Sequence, residues 1–339
     1  MKRSFHIALG AIISLIFLIL AIRGLDLEHV GQAMGGAAYG WLIPALVLYF
    51  SGVWVRTVRW QYLLRPLQIV STGRLFPVVV MGYMANNVLP ARLGEFARCY
   101  VLRRREGIPQ TAALGTVLLE RIMDGLTMLA FMGVALPPLP FSASLYQLML
   151  GAGALFGTAT AGLIVLVTRP VLTARLLALI ARPLPGMWGT RIQGLGATFL
   201  SGFATLGGGA AALRVFGLSC IAWLLEAGMY LVLMFAFPFI PSLPLAILTT
   251  AVVNLGTLIP SSPGYVGVFD FIGKSVLAQF GVPEATALAY VLVVHAALVV
   301  PITLLGFWYA WREGVSLSRL ANAAPTRQNT PAVQSAVTP

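Results

Sequence analysis

The chain of 339 residues is 59% hydrophobic and 9% charged, with a formal net charge of +12. Such an apolar excess excludes a soluble globular domain and an ordinary disordered protein, and two cysteines, Cys99 and Cys220, exclude a disulfide framework. The positive charge does not point to nucleic acid: the arginines fringe apolar segments instead of forming one basic domain, the pattern of the positive-inside bias.

The first segment, MKRSFHIALGAIISLIFLILAIRG, joins two cations to an apolar stretch as a signal peptide does. The stretch is long and no small-x-small cleavage site precedes a polar domain, so it reads as a retained first span, 5–22. Further full spans are expected at 41–62, 111–136, 144–168, 214–236 and 285–311, each long enough to cross a hydrocarbon core ~30 Å thick. Two other apolar stretches are interrupted: 75–101 at LPARLG and 244–280 at IPSSPGYVG. Pro90 and Pro263 stop helices, Gly94 and Gly264 allow tight backbone paths, and each stretch reads as helix, break, helix. From about Ser318 a Pro/Ala/Thr/Gln-rich tail is expected to be disordered.

Topology follows from the cations. Lys2 and Arg3 place the N-terminus inside, the loop 23–40 lies outside, and Arg65 and Arg74 lie inside. Segment 75–101 ends in Arg103, Arg104 and Arg105, so it enters from the cytoplasm and returns to it. The uncharged PPLPFSAS is outside; Arg169, Arg175, Arg182 and Arg191 are inside. Segment 244–280 sits between loops without Lys or Arg and dips in from outside, and the last span ends inside at Arg312. The expected fold is an all-α polytopic membrane protein with about six full spans plus two re-entrant helical hairpins. It forms one membrane domain over 1–317, followed by a cytoplasmic tail over 318–339, in a bacterial inner membrane.

A shift of 170 residues lays TLIPSSPGYV on NVLPARLGEF, matching Pro260 to Pro90 and Gly264 to Gly94. The same shift carries span 41–62 onto 211–232 and 111–136 onto 281–306. Two units of span, hairpin and span, about 41–136 and 211–311, therefore recur in one register, the second upside down. Inverted repeats with broken helices are the pattern of secondary transporters. Broken helices leave backbone groups that lipid cannot satisfy, so they sit inside protein or beside a wet cavity. Their free N–H groups suit an anionic group.

Half of the ten acidic residues lie in or beside apolar segments: Glu95, Glu120, Asp124, Glu226 and Asp270. A charge at the centre of a span costs on the order of 2.5–3.5 kcal/mol, so such residues are expected to be paired or to line a polar path. Glu120 and Asp124 share a helix face and need a cation between them. Arg92 or Arg98 is expected to supply it, with Glu95 pairing to Arg121. This group is either an ion-pair network fastening the hairpin or a set whose spare arginine charge grips a lipid phosphate. Arg56 and Glu226, equivalent positions of opposite sign, are expected to meet across the repeat axis and serve coupling. Arg59 is placed nearer the headgroups, Asp270 pairs with Lys274, His295 bonds a carbonyl, and Trp41, Trp60, Trp308 and Trp311 anchor at interfaces. The sequence has no P-loop, no His/Cys metal cluster and no G-x-S-x-G elbow, so no cofactor, metal or catalytic residue is assigned.

N-x-L-P-x-R-x-G-E-x-x-R from Asn87 to Arg98, E-R-x-x-D-G from Glu120 to Gly125, and P-S-S-P-G-Y-x-G from Pro260 to Gly267 resemble the flippase-like transmembrane domain of lysylphosphatidylglycerol synthases. The resemblance covers roughly 5–312 and includes stand-alone members such as a hopanoid-associated transporter. It implies movement of a lipid between leaflets, without the aminoacyl-transfer activity of the full-length synthases. It also implies that Arg92, Glu95, Arg98, Glu120, Arg121 and Asp124 belong to a polar cavity, matched in the second hairpin by Ser261, Ser262, Gly264 and Tyr265. With Asn86 and Asn87 these are the expected headgroup contacts, and anionic or isoprenoid lipids the expected partners, with lipid-synthesis enzymes as possible associates. Two alternatives stay open: a non-transporting scaffold for lipid-modifying enzymes, and a membrane-embedded transferase using Glu95 or Asp124 as base.

Overall fold

Long apolar runs form long helices here because only a helix satisfies its own backbone in lipid. The computed structural model describes residues 2–89, 93–135, 143–169, 209–259 and 261–321, with scattered positions between 170 and 208. The loop 137–142, Arg182, Arg191, the break residues Pro90, Ala91, Arg92 and Pro260, and 322–339 lie outside the described residues. The helices are α1 (Lys2–Ile22), α2 (Leu27–Gly35), α3 (Leu42–Leu64), α4 (Thr72–Val88), α5 (Gly94–Glu106), α6 (Gln110–Ala135), α7 (Ala143–Thr168), α8 (Gly209–Met234), α9 (Leu243–Gly256), α10 (Val268–Gln279), α11 (Glu284–Arg312) and α12 (Leu317–Ala321). Among the described residues there is no strand, and the chain is an all-α polytopic membrane protein.

Tyr39–Leu64, Gly209–Met234 and Glu284–Arg312 are long and apolar enough to cross a membrane. Helix α6 has 26 residues, about 39 Å at 1.5 Å per residue, but carries Glu120, Arg121 and Asp124 near its middle. The loop 23–40 contains a helix that hydropathy alone does not announce. The Asp26 side chain caps α2 by accepting from the Glu28 N–H, and α2 packs on α11. The start of the expected tail is also helical, in α12.

Both interrupted stretches fold as hairpins whose two arms touch, α4 on α5 and α9 on α10. A Cβ on Gly94 would overlap the Gly82 carbonyl, so glycine lets the first hairpin close. The Gly94 N–H is capped by Asn86 Oδ1 at 2.9 Å, which satisfies one of the orphan donors at the start of α5. In the second hairpin the Gly267 N–H donates to Asp270 Oδ2 at 2.9 Å, and the Ser262 N–H to Ser14 Oγ of α1 at 2.7 Å. The turn between them is left-handed at Gly264 (φ 72°), Tyr265 (φ 60°) and Gly267 (φ 84°). Tyr265 is the one non-glycine residue with positive φ among those described, a conformation that surrounding contacts must hold in place.

The helix contacts repeat under the 170-residue shift. Helix α3 packs on its own equivalent, α8; α4 packs on α11, and correspondingly α9 packs on α6. The α3–α8 contacts run in opposite chain order: Trp41 with Phe235, Leu48 with Gly228, Arg56 with Trp223, Arg59 with Ser219, and Tyr62 with Arg214. The two equivalent helices are therefore antiparallel, and the second repeat runs opposite to the first. Arg56 and Glu226, 170 residues apart, meet at 2.7 Å. A residue that touches its own repeat-mate lies on the two-fold axis, so this pair marks the centre of the fold. Gly52 approaches the carbonyl of its mate Ala222 on the same axis.

One aromatic expectation fails. Trp60 is fully buried, donates to Thr116 Oγ1 at 3.0 Å and lies under the Arg98 guanidinium. It faces α5 and α6 rather than an interface, whereas Trp41, Trp308 and Trp311 are exposed.

Candidate functional site

Glu120 and Asp124 project from one face of α6, and the cation between them comes from α3. Arg59 is 0% exposed and reaches Asp124 at 2.5 Å, Glu120 at 3.3 Å and Ser219 Oγ at 2.7 Å. This corrects the expectation that Arg59 lies near the headgroups: α3 turns that face onto α6 and α8, which cation spacing alone does not reveal. Arg98 of α5 bonds Glu120 from the other side. Trp223 Nε1 donates to Asp124 Oδ1 at 2.8 Å. Arg121 pairs with Asp124 at 3.0 Å and with Glu95 at 3.7 Å. Arg92 lies outside the described residues. Arg56, Arg59, Arg98 and Arg121 thus face Glu95, Glu120, Asp124 and Glu226, four of each sign. Among the described residues of this network no arginine charge is left over for a phosphate.

Beside the network, between the hairpins, is a cavity of about 140 Å³. Asn86, Asn87 and Glu95 line it from the first hairpin, and Asn254, Thr257, Tyr265 and Phe269 from the second. The axial pair Arg56 and Glu226 also lines it, with Arg121 from α6 and His295 from α11. Tyr49, Tyr83 and Trp223 add aromatic surface, and Leu298, Val299 and Ile302 an apolar wall. The hairpin tips meet here: Gly264 faces the Asn87 carbonyl, and Asn87 Nδ2 donates to Thr303 Oγ1 at 2.9 Å.

Of the expected contacts, Asn86, Asn87, Glu95, Arg121, Tyr265, Arg56 and Glu226 line the cavity. Arg98, Glu120 and Asp124 stand behind it, sealed in the ion-pair network; Arg98 reaches a separate void of about 20 Å³ shared with Glu95 and Arg121. Ser261, Ser262 and Gly264 are not in the lining. The Ser261 hydroxyl is buried without a partner.

Asp270 and Lys274 do not pair. Asp270 Oδ1 bonds His295 Nδ1 at 2.8 Å, and Lys274 bonds Glu284 at 2.9 Å. His295 does bond a carbonyl, that of Gly264, through Nε2 at 2.7 Å. A carbonyl only accepts, so Nε2–H is the donor to Gly264. The imidazole therefore buttresses the left-handed turn from behind while one side faces the cavity. Sequence reasoning missed Tyr49, Tyr83, Trp223 and Asn254 as lining residues. A usable signal existed for two of them. Trp223 precedes Glu226 by three, and Asn254 is a lone amide in an apolar helix. Among the described residues no group of three His, Cys, Asp or Glu is placed to hold a metal ion.

An antiparallel repeat of spans and broken hairpins, enclosing a polar cavity on the axis, defines the class as a multi-pass membrane protein. The chain belongs to the family described as the lysylphosphatidylglycerol synthase TM region, which it matches over residues 7–306. It is 25% identical over 325 residues to "Glycosyltransferase AglD" of Haloferax volcanii, covering 87% of this chain and 52% of that protein. It is 28% identical over 123 residues to "UPF0104 membrane protein MJ1595" of Methanocaldococcus jannaschii, covering 35% of this chain and 37% of that protein. A UPF0104 membrane protein of Methanothermobacter thermautotrophicus is 29% identical over 126 residues, 36% of each chain. The chain thus spans about half the length of AglD and a little over a third of the other two.

Proposed function

We propose that this protein moves a polar-headed or isoprenoid lipid between leaflets of a bacterial inner membrane, with both termini cytoplasmic. The observation that carries the reading is the cavity shared by two antiparallel hairpins, lined by amides and paired charges beside an apolar wall. A headgroup enters laterally and acyl chains stay in lipid. Rocking of one repeat against the other about the Arg56–Glu226 pair exposes the cavity alternately, and protonation of Glu226 separates that pair and couples the cycle to a proton gradient. Neither catalysis nor a cofactor is part of this reading.

The test is transbilayer exchange of fluorescent lipids in proteoliposomes against protein-free vesicles. Exchange above the protein-free rate is expected, and none with any headgroup in folded protein would overturn the proposal. The name of the AglD relative favours a second reading, a lipid-linked transferase. Of the two bases that reading offers, Asp124 is locked between Arg59 and Arg121, whereas Glu95 faces the cavity. Product formation by purified protein from a lipid-linked donor, lost in Glu95→Gln, would favour it over transport.

A further inference from the structure

We propose that the cavity selects an uncharged polyhydroxyl headgroup, of the glycosyl class, over an anionic phosphate, and that Glu95 sets this choice. The inference rests on the lipid-transport reading above and narrows it away from anionic lipids. Its basis is charge and hydrogen-bond capacity. Among the described residues, the ionised side chains of the lining are Arg56 and Arg121 against Glu95 and Glu226, two of each sign. Arg56 bonds Glu226 at 2.7 Å, and Arg121 lies between Asp124 and Glu95. An incoming phosphate meets two carboxylates and would have to displace Glu95 from Arg121 while both carboxylates repel it.

The lining amides favour the same class. Asn87 donates its NH₂ to Thr303, and Asn254 donates its NH₂ to Glu226 and Thr250, which leaves the amide oxygen of each to accept. Asn86 accepts from Gly94, which leaves its NH₂ to donate. With the Glu95 carboxylate the lining presents an excess of acceptors. Hydroxyls donate and accept and fit such a wall, whereas an ionised phosphate only accepts. Tyr83 and Tyr265 add aromatic rings to the lining, a surface that suits the polarised C–H faces of a sugar ring, while Arg56 covers a face of Trp223 and His295 stacks on Phe269. Arg121 Nε is buried without a hydrogen-bond partner and joins the Asn86 NH₂ as a donor for a ring hydroxyl.

The experiment uses the full chain in phosphatidylcholine nanodiscs and reads tryptophan emission during titration with glucosyl diacylglycerol or with phosphatidylglycerol of the same acyl chains. Trp223→Phe identifies the cavity signal. The glucosyl lipid is expected to give a saturable change, absent in Trp223→Phe, at a Kd at least tenfold below that of phosphatidylglycerol. Glu95→Gln, which removes one lining anion, is expected to tighten phosphatidylglycerol by about tenfold. Preferential binding of phosphatidylglycerol by the unaltered protein, or a Glu95→Gln variant with unchanged preference, overturns the assignment and leaves the lipid site standing. Binding of neither lipid by folded protein overturns both. Free glucose binding as tightly as the glucosyl lipid would overturn a lipid ligand and leave the headgroup chemistry in place.

Discussion

Arg59→Met is the sharpest probe of the ion-pair network. Arg59 is fully buried and bonds Glu120, Asp124 and Ser219. Its removal leaves two carboxylates on one helix face, ~6 Å apart. At an effective dielectric of ~20 they repel by about 3 kcal/mol. Arg98 and Arg121 remain and offset part of this, while the loss of four hydrogen bonds adds to it. Breaking a buried pair from one side costs about 3–5 kcal/mol, and a loss in that range is expected in urea unfolding of the detergent-solubilised protein. The double variant Arg59→Met, Asp124→Asn removes one charge of each sign and is expected to recover at least a third of the loss. A loss under about 1 kcal/mol, or a double variant worse than the sum of the singles, would refute the reasoning.

Three further outcomes follow from the geometry. Because Arg56 and Glu226 face each other on the axis, Glu226→Gln is expected to slow lipid exchange by at least tenfold, while Arg56→Glu with Glu226→Arg refolds better than either single swap, as read by gel filtration. Gly94→Ala forces a methyl group against the Gly82 carbonyl and is expected to cost about 1–3 kcal/mol, measurable as a lowered unfolding midpoint. His295→Leu orphans the Gly264 carbonyl and Asp270, about 1–3 kcal/mol each, and should raise proteolysis or hydrogen exchange at residues 261–267 before it affects α3 or α8.

The spans at 41–62, 214–236 and 285–311 were legible because their apolar runs are long enough to cross a membrane, and both hairpins because Pro and Gly interrupt otherwise similar runs. The meeting of Arg56 with Glu226 was suggested by their equivalent positions and opposite charge, but equivalent positions touch only where their helices lie on the axis, which the structure supplies. What stayed hidden depends on helix rotation. Arg59 and Trp60 sit on the face of α3 that turns inward against α6, yet arginine and tryptophan near a span end are indistinguishable in sequence from interface anchors. Asp270 and Lys274 are at helical pairing distance, but each finds a better partner on α11, a tertiary contact that local spacing cannot foresee. Asn86 lines the cavity and in addition caps α5 with its oxygen. Its role follows from the tight return at Gly94, visible only once the hairpin closes.

The most direct measurement is lipid exchange by Ile302→Trp beside the unaltered protein, in matched proteoliposomes. Ile302 lines the cavity with an apolar side chain, so an indole there fills the space without removing a member of an ion pair. Exchange by the unaltered protein and its loss in a folded Ile302→Trp variant is the expected result. Equal exchange by both would contradict a path through the space between the hairpins.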